Sequence, residues 1–222
     1  MTEDLKILYE DNHLFVVSKP AGIATMGLPD GEETLLIRAK RYIKERYEKP
    51  GLVYLGVVSR LDFPVSGVVV FARTSKAAAR LNEQFRDHDV NKIYHAIVEG
   101  SVSPKESRLV NHLCEDKRRR KMWITSRPVP ESKESALRYR LVEYLGNLSL
   151  LEITLETGRK HQIRVQLSHI KHPILGDIKY GSRHTFPEGI ALHAKRLTLL
   201  HPVTKKPTTF ESPYPDCWKK FI

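Results

Sequence analysis

The run Val65-Ser66-Gly67-Val68-Val69-Val70-Phe71-Ala72-Arg73 constrains the fold more than any other stretch. It is apolar and β-branched, with no polar residue on every second position. It therefore reads as a strand of the buried type, not as one lying half in water. Gly67, at its entry, permits close approach of another backbone.

The rest of the chain supplies neighbours for such a strand. Ile7–Tyr9 and His13–Lys19 read as two short strands around the turn-prone Glu10-Asp11-Asn12, the second ended by Lys19-Pro20-Ala21-Gly22. Leu36, Ala39 and Ile43 share helical spacing and predict a helix over 33–47. Ser75 is a candidate cap for a helix in which Ala77, Ala78, Leu81 and Phe85 share a face. Lys92–Gly100 alternates as a strand. Ser135–Leu145 and Leu148–Glu156 form a hairpin through Gly146-Asn147, with Leu137, Tyr139 and Leu141 on one face and Arg138 and Arg140 on the other. Arg159–Ile170 has helical spacing. His193–Leu200 and Pro207–Ser212 read as closing strands. The region 101–133 is the least regular and predicts a loop-rich excursion. Together these elements predict an α+β fold with a large, mainly antiparallel sheet. No linker-like stretch divides the chain, so one domain over 1–222 is expected.

Charge names the class of partner. Lys and Arg number 37 against 26 Asp and Glu, a net +11. Solubility does not require that excess, and a polyanion is the natural counterpart. Cys114 and Cys217 are far apart and form no CxxC, which argues against a disulfide scaffold or a thiolate metal site. Met1-Thr2-Glu3-Asp4 opens no basic and apolar leader, and no apolar run reaches the roughly 20 residues of a membrane helix. A cytoplasmic monomer is expected, with no membrane partner.

Two clusters carry chemistry. In Ser59-Arg60-Leu61-Asp62-Phe63-Pro64 a lone aspartate stands beside an arginine, in a loop stiffened by proline. Such an aspartate is often only a turn residue; as a working carboxylate it calls for a cation beside it, and Arg164 is the best remote candidate. In Thr157-Gly158-Arg159-Lys160-His161-Gln162-Ile163-Arg164 the cations crowd the start of a helix. There they oppose the helix dipole, so anion binding explains them better than helix stability does. Tyr94, on a strand, is either a core residue or a face for an extruded base. Lys117-Arg118-Arg119-Arg120-Lys121, followed by Trp123, reads as an arm for phosphates, or else as a solvated loop. His169 and His172 lack a supporting carboxylate or thiolate, so no metal site is expected. No phosphate-binding GxxxxGK[ST] loop and no GxSxG elbow occurs.

Arg60-Leu61-Asp62 with Ser66-Gly67, the strand Lys92-Ile93-Tyr94-His95-Ala96, and Gly158 through Arg164 resemble the three core motifs of the RluA-type pseudouridine synthases. The likeness extends to Lys19-Pro20-Ala21-Gly22, to His172-Pro173-Ile174-Leu175-Gly176-Asp177, and to Tyr180-Gly181, Leu192-His193-Ala194 and His201-Pro202. The resemblance implies an α+β fold whose large mixed, mainly antiparallel sheet is flanked by helices around a central active-site cleft, and an isomerase that converts uridine to pseudouridine in ribosomal or transfer RNA without cofactor or metal. It implies Asp62 as the catalytic carboxylate, Arg164 as its pair and Tyr94 against the flipped base. It also places Arg60, Arg159, His161, Gln162 and Lys117 to Lys121 at the RNA. The family usually has His where this chain has Ser59 and Thr where it has Val65; neither departure removes the carboxylate, and Ser59 weakens the case for a histidine that assists base extrusion here. With the chain opening directly on the catalytic domain, recognition is expected to use that domain's own basic surface. The alternative is a catalytically silent RNA-binding protein of the same fold; intact Asp62, Tyr94 and Arg164 argue against it.

Overall fold

A computed structural model describes residues 5–28 and 32–222, so the Met1–Asp4 stretch read for a leader lies outside the described residues. Eleven strands and three α-helices are present among them. Packing divides the chain into two compact units, Met1–Asn91 with Ala194–Pro215, and Lys92–His193 with Asp216–Ile222.

The first unit contains β1 (Lys6–Glu10), β2 (Leu14–Lys19), α1 (Leu35–Arg46), β3 (Gly56–Val57), β4 (Ser66–Ala72), α2 (Ser75–Arg86), most of β10 (Leu192–Leu200), and β11 (Pro207–Glu211). Its strands are ordered β1-β2-β4-β10, with β3 also on β4 and β11 on β10. The β1·β2, β2·β4, β3·β4 and β10·β11 pairings are antiparallel. Every residue of β4 is buried. Val68, Val70 and Ala72 pack with Leu14 and Val16 against α2 residues Ala77 and Leu81. Val69 and Phe71 pack with Phe15 and Val17 against α1 residues Leu35, Ala39 and Ile43. A helix on each face explains the unbroken apolar run.

Both helices start on a threonine. Thr34 Oγ1 accepts from Ile37 N–H at 3.3 Å, so α1 begins slightly later than its periodicity suggests. Thr74 Oγ1 accepts from Ala77 N–H at 3.1 Å. The cap of α2 is thus Thr74 and not Ser75, because Thr74 has the extended backbone a cap requires.

The second unit holds β5 (Asn91–Glu99) from its second residue on, β6 (Glu106–Asp116), β7 (Lys121–Thr125), β8 (Lys133–Leu145), β9 (Leu148–Leu155) and α3 (Gln162–His169). The order is β5-β9-β8-β6-β7, every pairing antiparallel. The expected hairpin over Gly146-Asn147 is present, with Gly146 at φ +65°. The region 101–133 is not a loop-rich excursion: it supplies β6 and β7, which pair tightly. Their polar, alternating residues hid the strands, because only Leu113 and Met122 are buried among the large apolar side chains of the hairpin.

The helix expected over 159–170 is shorter. His161 occupies its N-cap position in the left-handed region, at φ +53°. Arg159 and His161 therefore precede the helix. Gln162 Oε1 accepts from Arg159 N–H at 3.0 Å and from the Thr157 hydroxyl at 2.7 Å, which holds the preceding turn away from helical geometry. At the other end, His172 N–H donates to Leu167 C=O and Lys171 N–H to Ser168 C=O, both at 3.0 Å. This is a Schellman ending, with Lys171 at φ +70° where glycine is usual.

Gly67 has φ +122°, and a Cβ there would collide with the backbone N, C and O of Ala194. This is the close approach expected from the sequence. Gly67→Ala should therefore lower unfolding free energy by about 3 kcal/mol or more, through strain and collision with an immobile backbone. Urea unfolding of the variant measures this.

Candidate active site

Asp62 lies in the 58–65 loop that leads into β4, and that loop rests on the turn after β2. Leu61 and Phe63, the neighbours of Asp62, are both anchored. Thr25 Oγ1 donates to Leu61 C=O at 3.0 Å and accepts from Leu61 N–H at 3.2 Å. Phe63 C=O accepts from Gly22 N–H at 2.9 Å. Val65 N–H closes the turn onto Asp62 C=O at 3.1 Å. Asp62 is half-buried, while Arg60 and Phe63 are exposed. Ser59 is committed to structure: its hydroxyl accepts from Val70 N–H of β4 at 3.2 Å.

Below this loop sits a cation that local sequence pattern shows only as part of a turn. Lys19 is 0% exposed, and its Nζ donates to the carbonyls of Ile23 at 2.8 Å, Pro20 at 2.9 Å and Phe63 at 3.3 Å. Burial drives the Lys19 ammonium from its ordinary 10.5 down to about 7, and the Asp62 carboxylate opposes that fall. One side chain thus ties the two segments of the loop together and places a positive charge near Asp62.

In the second unit, Tyr94 is half-buried on β5, opposite Ile153 of β9. Burial lowers the nearby Lys92 ammonium as well. Arg164 is 5% exposed and grips Asp177 with two prongs, Nε to Oδ2 at 2.7 Å and Nη2 to Oδ1 at 2.9 Å. Its guanidinium lies 5.0 Å from the Tyr180 ring centroid, and Lys121 Nζ lies 4.9 Å from the same ring. The Tyr180 hydroxyl accepts from Met122 N–H at 2.9 Å and stands 2.8 Å from His161 Nδ1. A guanidinium has five donors, so the Asp177 pair uses part of its capacity and fixes its plane. Removing one partner of such a buried pair typically costs about 3–5 kcal/mol.

The expected RNA-contact residues separate into two groups. Lys117, Arg118, Arg119 and Arg120 are exposed at the tip of the β6–β7 hairpin, and Lys121 opens β7. Asp116 restrains Arg119, accepting from its N–H at 2.9 Å, and Trp123 is 50% exposed on the same hairpin. Arg159 is exposed, with Nε on Glu134 C=O at 3.0 Å. Gln162 is buried, and its amide is used inside the protein, on Thr157, Arg159 and Ala136. Among the described residues no group of three or more His, Cys, Asp or Glu is arranged to hold a metal ion, and no helix is long and apolar enough to cross a membrane.

Residues 13–169 match the RNA pseudouridylate synthase family. The chain belongs to that family. Ribosomal large subunit pseudouridine synthase D of Zymomonas mobilis is 36% identical, over 96% of this chain and 70% of that protein. The uncharacterized RNA pseudouridine synthase YhcT of Bacillus subtilis is 35% identical, over 96% of this chain and 69% of its own length. The chain thus spans about seven tenths of both relatives. Among solved structures, human RNA pseudouridylate synthase domain containing 4 superposes with a TM-score of 0.80 at 24% identity, over 97% of this chain and 92% of that one. Human RNA pseudouridylate synthase domain containing 1 gives 0.78 at 26% identity, over 97% and 85%. The family match includes Asp62, Tyr94, Arg164 and the basic hairpin, and it stops short of Asp177 and Tyr180.

Lys19 makes the Asp62 loop testable through pH. Its folded pKa lies below its free value, so the unfolded chain binds more protons between about 7 and 10.5, and stability rises with pH across that window. Wild type should gain about 2 kcal/mol of unfolding free energy between about pH 7 and about pH 9 from this group, and Lys19→Met should lack that gain. Denaturant unfolding of both proteins at the two pH values gives the comparison, and an equal rise in both would locate the titration elsewhere.

Proposed function

We propose that this protein isomerises uridine to pseudouridine in ribosomal RNA, with Asp62 as the catalytic carboxylate, and that residues 1–222 act as one catalytic domain and as a monomer in the cytoplasm. The observation that carries the assignment of Asp62 is its setting. A half-buried carboxylate is held in a turn whose two flanking residues are both anchored, with a buried lysine beneath it. A solvated turn aspartate needs none of that support. The choice of ribosomal RNA rests on the name of the Zymomonas relative.

The chemistry asks little else of the protein. The C1′–N1 bond of the target uridine breaks, the uracil turns, and C1′ bonds to C5. The proton on C5 departs and N1 ends protonated, so the exchange is redox-neutral and consumes no water. One ionised carboxylate beside the glycosidic bond suffices, provided that the detached uracil stays in place. We assign Tyr94 to pack against the flipped base and Arg164 to serve as the cationic partner of Asp62. The Asp177 grip supports the second role by fixing the orientation of the guanidinium. Arg60, Arg159 and His161 are assigned to the RNA near the target, and Lys117 to Lys121 to phosphates farther along it. Gln162 contributes by shaping the turn that carries Arg159 and His161. Ser59, bonded to Val70 N–H, supports β4 in place of the usual histidine.

Tritium release from RNA labelled at uridine C5, prepared from cells lacking this protein, tests the assignment. Wild type should release tritium. Asp62→Asn should abolish release, with RNA affinity within about threefold of wild type, since binding does not require the carboxylate. Equal loss of binding and turnover would remove Asp62 from catalysis, and no release by wild type with RNA binding retained would identify a silent binder. Arg164→Lys should lower turnover by about 100-fold or more, because lysine cannot make the two-pronged pair.

The hairpin yields a separate expectation. Replacing Lys117, Arg118, Arg119 and Arg120 by serine should weaken RNA binding and lower the slope of log K against log salt by about 0.7–0.9 for each phosphate that the variant no longer neutralises. An unchanged slope, measured by titration across a salt series, would reduce the tip to a solvated turn.

A further inference from the structure

We propose that the groove at the C-terminal end of α3 is a second RNA-contact site, which takes phosphodiesters of the strand being modified. This rests on the function proposed above for the identity of the polyanion. The groove, about 590 Å³, is lined by Glu99, Asn147, Lys171, His172, Arg183 and His184 among others. Four segments of the second unit converge there: the end of β5, the β8–β9 turn, the residues after α3, and the loop at 181–184. Lys171, His172, Arg183 and His184 all lie beyond the 13–169 span matched by the family.

The one carboxylate among the residues named is already engaged. Glu99 Oε1 accepts from the Ser182 hydroxyl at 2.6 Å and from the N–H groups of Arg183 at 2.9 Å and His184 at 3.3 Å. It organises the loop that presents Arg183 and His184. His172 is fixed by its Nδ1, which donates to Glu99 C=O at 2.9 Å. A Cβ at Gly100 would approach that nitrogen to 3.2 Å, so the glycine leaves room for the ring. Lys171 and Arg183 are exposed cations.

Lys171 is the most telling member. The two Schellman bonds are main-chain bonds that glycine would make equally well. A lysine at φ +70° is strained by comparison. A charge that favours the helix C-terminus is the competing explanation, and it predicts no effect on RNA. The groove is also within reach of a strand at His161. The eight residues of α3 span about 12 Å, and duplex phosphates on one strand are spaced about 3.4 Å apart along the axis, so a strand seated at His161 reaches Lys171 within about four nucleotides.

Fluorescence anisotropy with a labelled stem-loop RNA across a potassium chloride series tests the groove. Lys171→Gly keeps the main-chain helix ending, so its melting temperature should be unchanged or higher. Its salt slope should fall by about 0.7–0.9, as should that of Arg183→Gln, while Lys171→Arg should keep the wild-type slope. Unchanged slopes and affinities in folded Lys171→Gly and Arg183→Gln would overturn the proposal. So would binding of inorganic phosphate that is lost in these variants while RNA binding stays intact, since that describes a small-anion site. These are binding measurements without turnover, so the groove can fail while tritium release stands, and the reverse.

Discussion

Burial of β4 on both faces is the constraint on which the rest of the first unit depends. Val68, Val70 and Ala72 serve the α2 face, and Val69 and Phe71 the α1 face. At about 25 cal/mol per Å² of apolar area removed from water, a strand buried on both sides outweighs any preference of its loops. The loop that carries Asp62 leads directly into this strand. The β4 backbone is tied at Val70 to Ser59, and at Gly67 it runs against Ala194 with no room for a side chain.

Each unit uses a buried cation for positioning. Lys19 is stripped of water and compensated by three carbonyls. Desolvation brings its pKa down to about 7, and the Asp62 carboxylate opposes that fall. Arg164 meets the same penalty with a two-pronged carboxylate and an aromatic face. The difference follows from chemistry. Lysine is a point charge that three convergent carbonyls can satisfy, whereas a planar guanidinium is held in orientation by a planar carboxylate.

The basic surface is organised by the same polar contacts. Tyr180 links Met122, behind the hairpin tip, with His161, ahead of α3. Lys179 donates to Arg120 C=O at 2.6 Å, which fastens the tip to the turn containing Asp177 and Tyr180. The hairpin that presents Lys117 to Arg120 is therefore anchored next to its tip to the turn that holds Arg164.

Much was legible from local pattern alone. The β4 run, the Gly146-Asn147 hairpin, the helix faces and the basic tip depend on period, turn chemistry and composition, all of which are properties of neighbouring residues. The cluster from Arg159 to Arg164 and the loop at Asp62 could be picked out because their residue types are poor choices for a core. Tertiary structure alone decided the remainder. Asp177 is thirteen residues from Arg164 and in another element, so no spacing rule marks it as the partner. Lys19 reads as an ordinary strand-end lysine until folding removes its water. The strands β6 and β7 escaped sequence reading because most of their side chains are polar or left partly exposed, and it is pairing, not hydrophobic pattern, that makes them strands. Local sequence determines which conformations are cheap. Which polar groups must find each other is settled only when burial leaves them no water to use instead.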